Sequence, residues 1–368
     1  MGAVVIAAGG TGGHVYPALA AAREIALLDP SLDLLFLGSA TGLEARVVPG
    51  EGFRFRPVSS GPWHRGRPWT ILTGGLKALR GAVEARRAMR EAGARAVLST
   101  GGWAAAPALL AAFVGGIPIV VHEPNRAPGV VNRAFGRVAA RVTVGDSDAA
   151  RRFPAHRTVV TGVPVRKAVV EATREEARRR LGLGTASTVV LVMGGSQAAR
   201  SINAATCEAL PALAAERGLE LLWLCGASGL AECSAAAERA GVRAKVMAYL
   251  DDMGSGLAAA DLAVARAGAS TVAELAVARL PSVLVPYPQA AGDHQTANAQ
   301  ALERAGAAVL LSQASLSGAA LAAAVLGLAR DAGRRTVMAG HAGSLARPDA
   351  ARRVAEETLA AVRGGAGC

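Results

Sequence analysis

The chain has 368 residues, roughly the length of two ordinary domains, and 52% of them are hydrophobic, which is enough for two separate cores. Its 40 basic and 28 acidic residues give a formal net charge of +12, which favours anionic partners such as nucleotides, pyrophosphates or an acidic lipid surface. Aromatic residues make up only 4%, and no helix-turn-helix or zinc-finger spacing occurs, so the sequence argues against a nucleic-acid partner.

Short apolar runs alternate with helix-forming stretches along the whole chain. They show little alternation of apolar and polar residues, as expected for parallel strands covered by helices on both faces. The uncharged segment 103–121 approaches membrane-spanning length, but its prolines and glycines divide it into a predicted buried helix, turn and strand. Strands are predicted at residues 3–8, 33–37, 96–99, 118–121, 142–144 and 158–160 in the first half, and at 188–193, 219–225, 245–248, 262–265, 282–285 and 307–311 in the second.

Strands that alternate with helices over this length predict an α/β protein with two doubly wound domains. The two halves open alike, each with an apolar strand that runs into glycines and then a helix: VVIAAGGTGGH at the start and VVLVMGGSQAAR from residue 189. The segment 162–164 interrupts the first pattern, and we place the domain junction there. The amphipathic stretch 348–362 could pack on either domain.

Three glycine turns follow predicted strands and precede predicted helices, at residues 9–13, 101–102 and 194–195. Such a turn presents backbone N–H groups and a helix N-terminus to a phosphate, which a side chain would hold away. One pair of glycines could serve close packing alone, whereas three indicate a phosphate-binding cleft. The dinucleotide pattern GxGxxG fails at Val15 and lacks an acidic residue after the second strand, and the Walker pattern is absent.

Seven motifs then occur in order: GGTGGHVYPALA (9–20), HEPNRAPGVVNR (122–133), TGVPVRKAV (161–169), VMGGSQAARSIN (192–203), YLDDM (249–253), ARAGASTVAELA (265–276) and GDHQTANA (292–299). The series resembles the MurG family of glycosyltransferases over nearly the whole chain. The family usually reads HEQN where this chain has Pro124, and GGSQGA where it has Ala198. Neither change removes a reacting group, but proline fixes φ and removes a donor, so the acceptor loop can differ in shape.

The resemblance implies the GT-B fold, in which two Rossmann-like doubly wound domains face a cleft. It also implies inverting transfer of N-acetylglucosamine from UDP-N-acetylglucosamine to the C4 hydroxyl of the muramoyl sugar of lipid I (undecaprenyl-pyrophosphoryl-muramoyl-pentapeptide), which forms lipid II for peptidoglycan. The N-terminal domain, 1–163, would bind the acceptor and face the membrane, and the C-terminal domain, 164–345, would bind the UDP-sugar. The terminal helix, about 346–368, would return to the first domain. No cofactor is implied.

Two residues compete for the role of base, which must act at the acceptor hydroxyl. His14 lies at the first glycine turn, where the family places acceptor and donor sugar, and an ordinary imidazole pKa of about 6.5 suits a base at neutral pH. Glu123 follows a strand, where doubly wound folds bind ligands. Either side chain could instead hold a loop by hydrogen bonding.

The resemblance also assigns the substrate-binding residues. Arg166 would present a planar fork to the diphosphate, Leu250 its backbone to uracil, and Glu274 its carboxylate to both ribose hydroxyls. Asn125 would also orient the acceptor. The donor-binding set is Thr11, Gly12, Gly13, Asn125, Arg166, Gly195, Ser196, Leu250, Ser270, Thr271, Glu274, His294 and Gln295, with Asn298 as a weaker member. The glycine loops at the acceptor pyrophosphate are Gly10, Gly12, Gly13, Gly101 and Gly102.

Two carboxylate pairs could suggest a metal. Asp146-Ser147-Asp148 spells the DxD pattern of metal-dependent transferases, and Asp251 precedes Asp252. We expect Asp148 to cap a short helix and Asp252 to cap the helix that starts at Met253, with no obligatory metal.

Lipid I is anchored in a bilayer, so the resemblance implies a peripheral enzyme on the cytoplasmic face of the bacterial cell membrane. Segment 63–87 mixes apolar and basic residues, which suits contact with an anionic membrane surface, although its spacing fits a core-facing helix with a solvated basic side equally well. The predicted contact residues are Trp63, Trp69, Ile71, Leu72, Leu76, Lys77, Leu79 and Arg80.

Two other functions stay open. A UDP-N-acetylglucosamine 2-epimerase uses the same kind of fold, but it needs no basic apolar segment, and HEPN does not resemble its acid/base set. A non-catalytic nucleotide-sugar-binding subunit is disfavoured because both domains are present in one chain.

Overall fold

The computed structural model describes residues 2–61, 68–195 and 199–364, and for residues 68–76 and 291 it describes the backbone alone. The chain forms two compact units, the first comprising Met1–Val165 with Asp349–Cys368 and the second comprising Arg166–Pro348. The division falls between Val165 and Arg166, close to the Gly-Val-Pro segment at which the sequence pattern is interrupted.

The first unit is built on a seven-stranded parallel sheet with the order β3-β2-β1-β4-β5-β6-β7. Six of its strands were predicted. The sequence gives no apolar run for β3, whose residues Arg-Phe-Arg-Pro are partly exposed because this strand forms an edge of the sheet. The strands are β1 (Ala3–Ala8), β2 (Asp33–Gly38), β3 (Arg54–Pro57), β4 (Ala94–Gly101), β5 (Ile119–Glu123), β6 (Arg141–Val144) and β7 (Thr158–Val160).

Helices cover both faces of this sheet, because successive residues of a buried strand point to opposite sides. Val4 and Ile6 of β1 belong to one core cluster and Val5 and Ala7 to another. The helices are α1 (Gly12–Leu28), α2 (Glu44–Gly50), α3 (Pro68–Ala92), α4 (Ala106–Val114), α5 (Val130–Phe135) and α6 (Ser147–Ala150).

The second unit has a six-stranded parallel sheet with the order β10-β9-β8-β11-β12-β13. All six of these strands were predicted, with ends that differ by at most one residue. They are β8 (Thr188–Met193), β9 (Leu219–Leu224), β10 (Ala244–Met247), β11 (Leu262–Ala265), β12 (Ser282–Leu284) and β13 (Ala308–Leu310). Two parallel-sheet units confirm the predicted fold class.

The remaining helices pack on the second sheet, except for the last. They are α7 (Lys167–Glu171), α8 (Arg174–Leu181), α9 (Arg200–Ala214), α10 (Leu230–Ala240), α11 (Met253–Ala259), α12 (Ala269–Val277), α13 (His294–Arg304), α14 (Gly318–Ala329), α15 (Ala332–Leu345) and α16 (Ala350–Gly364). The apolar side of α16 is buried with β1 and α1 of the first unit through Val354 and Leu359, and Glu357 pairs with Arg141 at 3.2 Å. The amphipathic C-terminal stretch thus packs on the first unit.

Each sheet has one point at which the chain reverses its direction of travel across the sheet. In the first unit β1 and β4 are neighbours, and in the second unit β8 and β11 are neighbours. Open α/β sheets bind ligands at the carboxyl ends of such neighbouring strands. The glycine turns at 9–13, 101–102 and 194–195 follow β1, β4 and β8, so all three lie at these points.

The uncharged segment 103–121 forms a short 3-10 turn, helix α4 and most of β5, which is the predicted helix, turn and strand. Across the residues that the model places, no helix combines the length and apolar character needed to cross a bilayer.

Candidate active site

The first glycine turn is held by a buried carboxylate that sequence analysis missed. The backbone N–H of Gly10 donates to Oε2 of Glu44 at 3.2 Å, and that of Ser39 donates to Oε1 at 2.9 Å. Glu44 is completely buried and ties the ends of β1 and β2 together. The sequence signal for this carboxylate is an acidic residue in the first turn of α2, whereas the dinucleotide pattern places its acidic residue directly after β2.

The second glycine turn packs directly on the first. At Gly102, with φ +86°, a Cβ would lie 2.1 Å from the carbonyl oxygen of Gly9 and 3.5 Å from Nδ1 of His14. Only glycine allows this approach, so the turns after β1 and β4 form one continuous surface.

His14 lies on that surface, in the first turn of α1. Its Nδ1 is 3.3 Å from Oγ1 of Thr11, and its backbone carbonyl accepts a hydrogen bond from Oγ1 of Thr100 at 2.8 Å. The ring is only half-buried. These contacts fix the backbone and the ring of a residue that is only partly buried.

Glu123, the other candidate base, is buried and accepts four N–H groups. Oε1 accepts from the backbone and the side chain of Asn125 at 2.9 and 3.2 Å, and Oε2 accepts from Gly129 and Asn132 at 3.0 Å each. Burial raises the pKa of Glu123, and these hydrogen bonds act in the opposite direction. The carboxylate therefore organises the loop that carries Asn125, despite the proline at 124.

His122 lies beneath this loop and is fully buried. Its Nδ1 is 3.0 Å from Oγ1 of Thr143, and no partner for its Nε2 is found among the placed residues. Burial, with a smaller contribution from nearby His14, lowers the pKa of His122 to about 3, so this imidazole is neutral at physiological pH.

In the second unit, the predicted donor-binding residues lie after β10 and β11 and around α12 and α13. Ser270 and Thr271 form the first turn of α12, Leu250 is buried after β10, and Gly195 is exposed after β8 with φ +81°. Ser196 lies outside the described residues.

Arg166 and Glu274, the residues predicted to bind the diphosphate and the ribose, are hydrogen-bonded to each other. Nε and Nη2 of Arg166 donate to Oε1 of Glu274 at 3.1 and 2.8 Å. Glu274 is buried, and Arg166 is mostly so. The guanidinium fork therefore faces a carboxylate of its own unit, a pairing that sequence analysis did not foresee.

Side chains of α13 fix the loops beside this pair. Oε1 of Gln295 accepts from the backbone of Tyr287 at 3.0 Å, and Nδ2 of Asn298 donates to the carbonyl of Ala267 at 3.1 Å. His294 is the first residue of α13, and Asp293 before it adopts φ +52°.

One aspartate of each carboxylate pair caps a helix. Asp146, rather than the predicted Asp148, caps α6, because its side chain accepts from the backbones of Asp148 and Ala149 at 3.0 and 2.9 Å. The reason is geometric: an N-cap side chain reaches the N–H groups two and three residues ahead. Asp252 caps α11 as predicted, through Ser255. In the described ranges no three His, Cys, Asp or Glu side chains are arranged to hold a metal ion.

Comparison with known proteins places this geometry in a family. The glycosyltransferase family 28 N-terminal domain matches residues 4–144, and the family 28 C-terminal domain matches residues 189–354. The chain is 41% identical over 354 residues to the UDP-N-acetylglucosamine–N-acetylmuramyl-(pentapeptide) pyrophosphoryl-undecaprenol N-acetylglucosamine transferase of Desulforudis audaxviator, with 94% of this chain and 95% of that one covered.

The enzyme of the same name from Symbiobacterium thermophilum is 39% identical over 360 residues, with 98% and 96% covered. Among solved structures, MurG of Acinetobacter baumannii matches with a TM-score of 0.74 and 31% identity, over 98% of this chain and 99% of that one.

Proposed function

The chain belongs to the MurG family of glycosyltransferases and transfers N-acetylglucosamine to lipid I to form lipid II, and from this premise we propose which of its residues perform the transfer. The observation that carries the assignment of roles is the placing of glycine turns at the reversal points of both sheets. The first unit would bind the acceptor, and the second would bind UDP-N-acetylglucosamine.

For the acceptor, we assign the base to His14. The C4 hydroxyl oxygen forms the new bond to C1 of the donor sugar while the bond from C1 to the diphosphate oxygen breaks on the opposite face, which inverts that centre. The hydroxyl proton passes to Nε2 of His14, and Nδ1–H is oriented by Thr11. The half-buried ring of His14 and the four hydrogen bonds that occupy Glu123 support this choice.

Glu123 then acts on the acceptor through the loop it holds. This carboxylate accepts hydrogen bonds from the backbone and the side chain of Asn125 and so fixes the conformation of that residue. We propose that Asn125 orients the substrate, while the turns at Gly10, Gly12, Gly13, Gly101 and Gly102 present backbone N–H groups to the acceptor pyrophosphate.

For the donor, the first turn of α12 would bind the diphosphate through Ser270, Thr271 and the helix N-terminus. Glu274 lies in the same helix and would accept the ribose hydroxyls. Arg166 would hold that carboxylate in position, which modifies the direct diphosphate contact expected from the sequence. Leu250, Gly195, Ser196, His294 and Gln295 complete the proposed donor site, and no step requires a metal.

A membrane surface would be formed by α3 and α4, which pack on each other. Leu79, Val83 and Phe113 are 59%, 71% and 55% exposed, and Lys77 and Arg80 are exposed on the same helix as the first two. Leu79 and Val83 are four residues apart and therefore share a helix face. Trp63 lies outside the described residues, as do the side chains of Trp69, Ile71, Leu72 and Leu76.

A recess next to Phe113 extends this surface. It has a volume of about 380 Å³, and its lining includes Phe113, Ile117, Val138 and Arg157. Exposed apolar side chains beside basic residues on α3 suit an interface with anionic lipid, so we propose that the enzyme is peripheral to the membrane that holds lipid I.

The decisive assay uses radiolabelled UDP-N-acetylglucosamine and a lipid I analogue. Label should enter the lipid product with the native protein, and none should do so without acceptor. Formation of UDP-N-acetylmannosamine from donor alone would instead identify an epimerase. Donor binding without any turnover on lipid I would identify a binding subunit.

A further inference from the structure

A buried arginine at the carboxyl edge of the second sheet, Arg266, has only neutral hydrogen-bond partners among the described residues. Arg266 is the first residue after β11 and is 9% exposed. Its Nη1 donates to the carbonyls of Val285 and Pro286 at 3.0 and 3.1 Å. Its Nη2 donates to Oγ of Ser201 at 2.8 Å and Oε1 of Gln313 at 2.7 Å.

Arg178, a second buried arginine of the same unit, has the carboxylate partner that a buried arginine usually has. Arg178 is 1% exposed, and it donates to Oδ2 of Asp261 at 2.7 Å as well as to backbone carbonyls. Charged side chains are rarely buried without such a counter-charge, because removing an ion from water is costly. Within the ranges that the model describes, Arg266 forms no ion pair. Burial lowers the pKa of Arg266, but a guanidinium stays protonated in proteins.

The position of this charge is specific. β11 and β8 are the neighbours between which the second sheet reverses direction. The partners of Arg266 come from the segment after β12, the first turn of α9 and the 3-10 turn after β13, and the ring of Tyr287 lies 5.4 Å from its guanidinium carbon. Arg266 thus ties together loops at the carboxyl edge of the sheet, three residues before α12 begins.

We propose that Arg266 is a positioning residue whose uncompensated charge, fixed behind these loops, favours a nucleoside diphosphate at this edge of the sheet. The inference rests on the proposed donor site. A cation held in a region of low dielectric acts strongly on a nearby anion and needs no reorganisation when charge develops on the departing diphosphate. The diphosphate supplies the negative charge that the protein itself does not place beside Arg266.

The test compares the dissociation constants of UDP and uridine, measured by calorimetry. Arg266→Gln should weaken UDP binding about 10- to 100-fold, the size of a partly desolvated charge interaction, and should change uridine binding less than about threefold. Arg266→Lys keeps the charge and should recover part of the UDP affinity. The matched control is Arg335→Gln, since Arg335 also donates to two carbonyls, those of Leu328 and Ala329 at the end of α14. It should bind both ligands like the native protein.

Equal weakening of UDP and uridine binding by Arg266→Gln would show a purely structural role and overturn the inference, as would unchanged UDP binding. If Arg266→Gln does not fold, Ser201→Ala removes one tie and keeps the charge. In Ser201→Ala, the ratio of UDP affinity to uridine affinity should stay within about threefold of the native ratio. In Arg266→Lys, this ratio should change only slightly more than it does in Ser201→Ala. A large fall of the ratio in Ser201→Ala would refute an electrostatic role. Failure of the native protein to bind UDP would refute the donor site itself, a separate outcome.

Discussion

At the scale of single residues, the two candidate bases differ in their burial. Glu123 already receives four N–H groups, whereas the ring of His14 is only half-buried beside a glycine surface. A group that must take a proton from a substrate has to come within hydrogen-bond reach of it. The burial of Glu123 and its four hydrogen bonds therefore favour a loop-holding role for this carboxylate and support the proposal that His14 is the base.

We therefore expect that substitution of His14 mainly lowers the catalytic rate and that substitution of Glu123 lowers stability. His14→Ala should lower kcat about 10²- to 10⁴-fold, the usual contribution of a general base, with little change in the melting temperature. Glu123→Gln should lower the free energy of unfolding by about 1–3 kcal/mol, because an amide NH₂ would face N–H groups that now donate to an oxygen. Steady-state kinetics and urea unfolding measure both effects. A His14→Ala enzyme that keeps more than a tenth of native kcat would contradict the assignment.

The buried His122 predicts a particular pH dependence of stability. Its pKa is about 3 in the folded protein and about 6.5 in an unfolded chain, so between these values the unfolded state binds the extra proton. Stability is then fully present above the unfolded pKa and is lost as the pH falls toward 3. Between about pH 6 and pH 4, the native protein should lose about 1.4 kcal/mol per pH unit more than His122→Asn, whose amide can keep the bond to Thr143.

Urea unfolding at several pH values checks this difference in slope. The matched control is His156→Asn, since His156 is exposed on a short 3-10 turn and should leave the native slope in place. Parallel slopes for the native protein and His122→Asn would show that His122 does not exclude the proton.

At the scale of elements, the contact between the turns after β1 and β4 depends on the absence of a side chain at Gly102. Gly102→Ala would place a Cβ 2.1 Å from the carbonyl oxygen of Gly9 and next to His14. Gly52 has nearly the same φ, +83° against +86°, but nothing within 4 Å of its Cβ position. Gly52→Ala therefore measures the cost of the backbone conformation alone.

We expect Gly102→Ala to destabilise the protein by about 1–3 kcal/mol more than Gly52→Ala, because overpacking adds to the conformational cost. It should also lower the transfer rate, since the displaced turn carries His14 with it, whereas Gly52→Ala should transfer at the native rate. Unfolding curves and the radiolabel assay give the two readouts. Similar losses for the two variants would mean that the turns do not constrain each other.

At the scale of the whole molecule, the sequence predicted the secondary-structure elements far better than the pairings between distant residues. Buried parallel strands are recognised as continuous apolar runs. Among the strands of the described residues, sequence analysis therefore missed only β3, a partly polar edge strand. The residues that hold the site together are distant in the chain: Gly10 and Glu44 are 34 residues apart, and Arg166 and Glu274 are 108 apart. No local pattern encodes such a pairing, which depends on strand order in the sheet.

Membrane attachment is a property of the whole surface and gives the last prediction. Leu79→Gln with Val83→Gln removes two exposed apolar side chains from α3 but no charge. Full burial of each is worth about 1.5–3 kcal/mol, so even partial insertion should make binding to anionic vesicles at least about tenfold weaker in the double variant. The control is Leu27→Gln, since Leu27 is 68% exposed on α1 and lies outside the proposed surface.

Cosedimentation with vesicles at two salt concentrations separates the two contributions to binding. Raising the salt from about 0.1 M to about 1 M shortens the screening length from about 10 Å to about 3 Å, which should weaken the attraction of Lys77, Arg80 and their neighbours to anionic lipid. The loss caused by the double substitution should persist at high salt, because apolar insertion is not screened. A double variant that binds vesicles like the Leu27→Gln protein would place the membrane contact on another face, and transfer to lipid I in vesicles would then have to proceed from there.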